Sequence, residues 1–190
     1  FFIFWELLAL SSAMLILARR DAQAIGATLR YLIVQVSAGV LLLAGAILLA
    51  HDTGSLAFGA IGLESAAGWL ILAALGIKAA FPLVHAWLTD AYPAATPTGA
   101  VFLSALTTKV AIYALARGFA GTELLIYVGV AMALFPILYG IIENDVRRVL
   151  SFSLIDQLGF MIVAIGIGTE LALNGAAGHA FVHVIYKSLL

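Results

Sequence analysis

Apolar runs of about twenty residues recur along this chain, and a run of that length is what a helix needs to cross the hydrocarbon core of a bilayer. They cover residues 1–18, 28–50, 65–88, 98–117, 123–142, 149–168 and 171–190. Hydrophobic residues make up 64% of the 190 and charged residues only 10%. A soluble domain carries about 25% charged residues, so this chain cannot clothe a surface facing water. The fold class that follows is all-α: a polytopic transmembrane helix bundle of about seven spans, forming one transmembrane domain over residues 1–190. A net charge of −1 argues against a nucleic-acid partner. No cysteine is present, which excludes disulfides, thiolate metal sites and cysteine-held iron–sulfur clusters in this chain. No haem-attachment motif, P-loop or GxGxxG fingerprint occurs, so no cofactor is indicated.

The connections are short and hold most of the turn chemistry: ARRDAQ, HDTGS, TDAYPAATP, RGFAGTE, ENDVRR and GTELALNG. A short Gly-containing piece, residues 56–63, reads as an interfacial turn. If the helices alternate, Arg19, Arg20, Arg30, Arg147 and Arg148 gather on one side and Arg117 alone on the other. By the positive-inside rule the first side is cytoplasmic and Phe1 starts near the outer face. Phe1 opens inside an apolar run and the chain stops at IYKSLL, with neither a signal nor a transit peptide visible, which predicts the middle of a larger protein.

The chemistry concentrates in GIKAAFPLVHAWLTD, residues 76–90. Pro82 cannot donate to the carbonyl four residues back, which belongs to Lys78. The helix therefore opens at the residue carrying an ionisable amine, with His85 three residues beyond Pro82. A charge at the bilayer centre costs about 2.5–3.5 kcal/mol on the insertion scale, so two liabilities at one point predict a hydrated site. Basic residues sort by depth: every Arg lies at a helix end or loop, whereas Lys78, Lys109 and Lys187 lie within apolar runs. A buried Lys can give up its proton and an Arg does not, so the sorting suits proton transfer; snorkelling is the plainer reading for Lys187.

Glu6, among Phe, Trp and Leu on the first helix, must protonate, find a cation or lie near the membrane surface. His179, His183 and Lys187 recur at i, i+4 and i+8 and form one polar stripe. That stripe reads as a proton relay. Its rival is a metal site built on the HxxxH pair, which lacks both the Glu of zinc proteases and a third ligand. Helix packing through histidine–carbonyl bonds is the third option. Pro136 reads as a packing kink. Asp156 is either a proton-path carboxylate or an interface residue paired with an Arg.

Several stretches together resemble the proton-conducting antiporter-type subunits shared by Mrp cation/proton antiporters, respiratory complex I and related hydrogenases. They are FWELLALSS, residues 76–117, ENDVRRVLSFSLIDQLGFM and HAFVHVIYKSLL. The resemblance implies the fifth through eleventh of fourteen helices, in a subunit without catalytic chemistry of its own. It implies a coupled Glu6–Lys78 pair, then a hydrated axis through Lys109 to His179 and His183, with Lys187 on the same stripe. It implies other membrane subunits as partners, protons and Na+ as cargo, and a bacterial inner membrane. WLTD stands where WLPD is common, and Asp156 where an uncharged polar residue is usual. TPTGAVFLSALTTK and GTELLIYVG look more like the D-type subunit of Mrp antiporters than a complex I or hydrogenase subunit, which remain the alternatives.

Overall fold

Helices begin where the sequence supplies a side-chain cap. The carboxylate of Asp21 accepts from the Ala24 amide at 2.6 Å, the Ser65 hydroxyl from Gly68 at 3.2 Å, Thr96 from Gly99 at 3.1 Å and Asp145 from Arg147 at 2.9 Å. In the computed structural model, residues 1–55 and 57–189 are described. Leu56 and Leu190, which bound two of the predicted pieces, lie outside the described residues. The helices are α1 (Phe2–Leu17), α2 (Ala22–Thr53), α3 (Ala66–Lys78), α4 (Ala86–Ala94) and α5 (Pro97–Phe102), then a π-helical turn (Leu103–Thr107). After it come α6 (Thr108–Gly118), α7 (Glu123–Ile142), α8 (Val146–Ile167) and α9 (Glu170–Leu189). Every described element is helical, as the apolar runs require.

All seven runs are helical, but their boundaries move for physical reasons. The second begins at Ala22 rather than 28, because Asp21 caps it there. Arg30 is thus not a helix-end residue; it sits in the third turn of α2 and reaches Asp90 of α4 in a two-point ion pair at 2.6 and 3.0 Å. The third run is two helices, α3 and α4, separated by residues 79–85, and α4 carries on to Ala94 through a stretch that reads as loop. The α5–α6 span (Pro97–Gly118), α2, α7 and α8 are individually long and apolar enough to cross a membrane. α1 and α3 are apolar but shorter, at 16 and 13 residues. α9 carries Glu170, Asn174, His179, His183 and Lys187 on 20 residues, which lowers its hydropathy.

α7 lies along α8, α2 along α3, and α1 along α2, while α8 also reaches α4 and α9. The α7–α8 seam is close because glycines face it. A Cβ on Gly159 would stand 2.6 Å from the Ala133 amide nitrogen and 2.7 Å from the Gly129 carbonyl. Small residues of this kind let membrane helices approach. Gly159→Ala is expected to destabilise the fold by about 1–3 kcal/mol through overpacking, seen as a lower thermal midpoint in detergent; an unchanged midpoint would contradict this packing.

The two ends of the bundle differ in charge. Arg19 and Arg147 both donate to the Pro93 carbonyl, at 3.2 and 3.4 Å, and Arg147 also to that of Ala95 at 3.2 Å. Arg148 pairs with Glu143 at 3.1 Å. Arg117 sits apart and donates to the Phe58 carbonyl at 2.7 Å, in the irregular stretch between α2 and α3. Phe58 in turn stacks on Phe1 at 5.2 Å between centroids.

Candidate functional site

The break in the third span is built from the backbone up. α3 stops at Lys78, the Ala80 amide turns back to Ile77 at 3.2 Å, and the Phe81 amide reaches Gly76 at 2.9 Å. Ala80 and Leu83 have φ of 61° and 74°, unusual for residues with a Cβ. The Trp87 indole crosses the break to donate to the Ile77 carbonyl at 2.8 Å. Among the described residues no backbone amide of the break returns to the carbonyl of Lys78. His85 ends the break with its ring 4.6 Å from that of Phe135, and its buried Nδ1 makes no hydrogen bond.

Lys78 is fully buried. Its Nζ donates to the Trp5 carbonyl at 3.3 Å and lies 3.9 Å above the Trp5 ring, a cation–π contact. Glu6 is the next residue, yet the described residues form no Glu6–Lys78 ion pair, and both polar contacts of the Lys78 amine are with Trp5. The Glu6 carboxylate turns instead toward α2, into the space a side chain on Gly39 would occupy. Its Oε1 is buried and makes no hydrogen bond. The implied pair is therefore adjacent but not joined.

Lys109 follows the π-helical turn. Its Nζ donates to the Ser104 carbonyl inside that turn at 2.6 Å, with the Thr108 hydroxyl at 3.5 Å. Widened turns of this type recur at functional sites. Lys187 and His183 on α9 lie within electrostatic reach of Lys109. His183 is fully buried, with both ring nitrogens free of hydrogen bonds, and its ring centroid is 6.2 Å from that of His179. His179 Nε2 meets Gln157 Oε1 at 2.9 Å, and Lys187 donates to the Ser153 hydroxyl at 3.1 Å. No group of three potential metal ligands forms among the described residues. Lys187 is buried, at 8% exposure, and is held within the bundle rather than snorkelling.

Asp156 does not pair with an arginine: Arg148 is taken by Glu143, and the Asp156 carboxylate accepts from Gln157 at 2.9 Å. A cavity of about 430 Å³ runs from Arg147 past Tyr92 and Ser104 to Lys187. Of the three lysines, Lys187 lines it.

The whole chain, residues 1–190, matches the family described as NADH:quinone oxidoreductase/Mrp antiporter, transmembrane. This protein belongs to that family. Hydrogenase-4 component B of Escherichia coli is 28% identical over 219 residues, covering 100% of this chain and 33% of that protein. The D subunit of an Na+/H+ antiporter from Alkalihalophilus pseudofirmus is 28% identical over 209 residues, covering 100% and 42%. The Mrp complex of a Dietzia species contains a chain that superposes with a TM-score of 0.91 at 30% identity, covering 99% of this chain and 39% of that one. This chain therefore spans well under half the length of those relatives.

In this member of the NADH:quinone oxidoreductase/Mrp antiporter family some polar residues of the interior escape a reading of the sequence. Gln157 ties His179 to Asp156 and also accepts from the Tyr186 hydroxyl at 3.1 Å. Gln35 and Tyr31 on α2 are fully buried with unpartnered polar atoms. Each stands mid-run in an apolar helix, which is the signal that could have found them. The π-helical turn has no such signal in LSALT.

Proposed function

We propose that the chain is the central part of a proton-translocating subunit in a multi-subunit monovalent cation (Na+)/H+ antiporter. Protons would move along Glu6, Lys78, Lys109, His183 and His179, with Lys187 flanking the second lysine and Pro82 holding the helix open at the first. The observation that carries this reading is the partner set of the lysines. Lys78, Lys109 and Lys187 donate to the Trp5 carbonyl, the Ser104 carbonyl and the Ser153 hydroxyl, and no lysine forms an ion pair among the described residues. A neutral acceptor holds the ammonium without fixing its charge as a carboxylate would. Such an amine can release and regain a proton.

The proposed partners are the other membrane subunits of the complex, and the proposed setting is a bacterial inner membrane with Phe1 near the outer face. Arg19, Arg20, Arg147 and Arg148 at one end, with Arg30 in the third turn of α2 above them, against Arg117 at the other, support that orientation. Likeness to an Na+/H+ antiporter subunit and to an Mrp complex supports exchange for sodium. Likeness to a hydrogenase component supports a second reading, in which redox chemistry in other chains drives the same proton path.

The test is the full-length subunit within its complex, reconstituted in vesicles carrying a fluorescent pH indicator. A sodium pulse without any reductant is expected to drive proton counterflow. Proton movement that occurs only when an electron donor is added would reject the antiporter reading and favour the redox-driven one.

A further inference from the structure

Gln157 on α8 meets three side chains at once, and their hydrogen-bonding roles are not interchangeable. Its Nε2 is 2.9 Å from Asp156 Oδ2, while its Oε1 is 2.9 Å from His179 Nε2 and 3.1 Å from the Tyr186 hydroxyl. Asp156 has Lys187 within electrostatic reach as a counter-charge, and as a carboxylate it only accepts. The end of the Gln157 amide that faces it must therefore be the NH2, and the end that faces His179 the carbonyl oxygen. A carbonyl also only accepts, so the His179 nitrogen that it meets must carry a proton. The described residues give His179 no hydrogen bond besides this one at Nε2. His183, one turn further along α9, differs: it is fully buried and both of its ring nitrogens are free of hydrogen bonds.

We infer that Asp156 is a positioning residue for proton transfer at His179: through Gln157 it holds one proton on Nε2 of the neutral ring and leaves Nδ1 as the atom that takes up and returns the mobile proton. This rests on the proton-translocation reading above and assigns different parts to the two histidines. Uptake forms an N–H bond at the Nδ1 lone pair and gives an imidazolium with both nitrogens protonated. Return breaks that same bond. Loss from Nε2 instead would set a bare nitrogen lone pair against the Gln157 oxygen, two acceptors facing each other with no proton between them. The amide cannot turn over to mend this, because its oxygen would then face the Asp156 carboxylate. His179 therefore stores a proton and does not pass one through its ring. His183, with neither nitrogen held, can take a proton at one nitrogen and release it at the other. Gln157 itself does not titrate; it transmits to the ring the demand that Asp156 makes on its amide.

Nitrogen–carbon correlation magnetic resonance of the histidine-labelled full-length complex in lipid bilayers reads the tautomer directly, because the ring nitrogen bonded to Cδ2 is Nε2. The His179 signals are those missing from His179→Gln, and the spectra are taken at alkaline pH, where the ring is neutral. Wild-type His179 is expected to carry its proton on Nε2. A proton on Nδ1 would mean that the Gln157 amide is reversed, and would overturn the assignment. Asp156→Ala lets the amide turn over, and the Nδ1–H form is expected to rise about tenfold, the scale of one net hydrogen bond. Tyr186→Phe removes the other donor to the same oxygen and is expected to leave the tautomer as it was. No change in Asp156→Ala, or a shift of equal size in both variants, would overturn the role of Asp156. These spectra do not depend on transport, so they stand even if the subunit moves no protons. Proton flux is expected to fall about tenfold in Asp156→Ala, on the same scale, and to recover in Asp156→Glu, which restores the acceptor. Undiminished flux in Asp156→Ala beside a shifted tautomer would show that the tautomer does not matter to transport, and would overturn the positioning role.

Discussion

Replacing Lys109 with alanine is expected to stop proton translocation by the full-length subunit while the complex still assembles. Lys109 is the only ionisable base on the α5–α6 span before its last turn. Its Nζ is anchored by the π-helical turn at the Ser104 carbonyl and stands near Lys187 and His183. On the proposed path, removing it would take away the stop between the broken helix and the histidine stripe. The expected loss of proton flux is about 10²–10⁴-fold, the range for a positioned acid–base group. Lys109→Arg decides whether the residue must deprotonate. Guanidinium can still donate to the Ser104 carbonyl and keeps the charge, but it does not release its proton. The arginine variant is therefore expected to fail nearly as badly as the alanine one. Normal flux through Lys109→Arg, measured in reconstituted vesicles, would mean that position 109 needs only a positive charge.

The spans and the break are legible in the sequence because both are set by local chemistry. An apolar run has to hide its backbone in a helix, and Pro82 has no N–H to give back to Lys78. The arginine-rich end is legible for a similar reason, since charge near helix ends follows from solvation. What the sequence does not carry is anything decided by two helices at once. Asp156 is open to pairing with an arginine on sequence grounds, but Glu143 takes Arg148 and Gln157 turns to Asp156. Arg30 reads as a helix-end residue, and only the Asp21 cap moves the start of α2 away from it. The π-helical turn adds one residue to a turn without any residue type that demands it, so LSALT reads as ordinary helix. Gln35 and Tyr31 read as single polar residues in a long apolar helix; their burial depends on where α1 packs.

Glu6→Gln and Lys78→Ala are each expected to cut proton translocation about tenfold to hundredfold, and the double variant to be hardly worse than the worse single one. The geometry gives the reason. Lys78 rests on the carbonyl and ring of Trp5, the residue before Glu6, while the Glu6 carboxylate turns away into the Gly39 notch. On the proposed proton path the Glu6 side chain swings from this notch toward Lys78, which already lies within its electrostatic reach. With the carboxylate in the notch, the Lys78 amine has only the neutral carbonyl and ring of Trp5; with the carboxylate against it, the ammonium would have a counter-ion. On that proposed path the two residues would act as one two-state switch, and losing either member would remove the choice between states. Gly39→Ala probes the same switch from the opposite side, because a methyl group there would meet the carboxylate and expel it from the notch. It is expected to lower flux in the wild-type background and to change little once Glu6 is already Gln. Losses that multiply across Glu6 and Lys78 would show two independent sites, and a Gly39→Ala effect that persists in the Glu6→Gln protein would mean that the notch acts on helix packing rather than on the carboxylate.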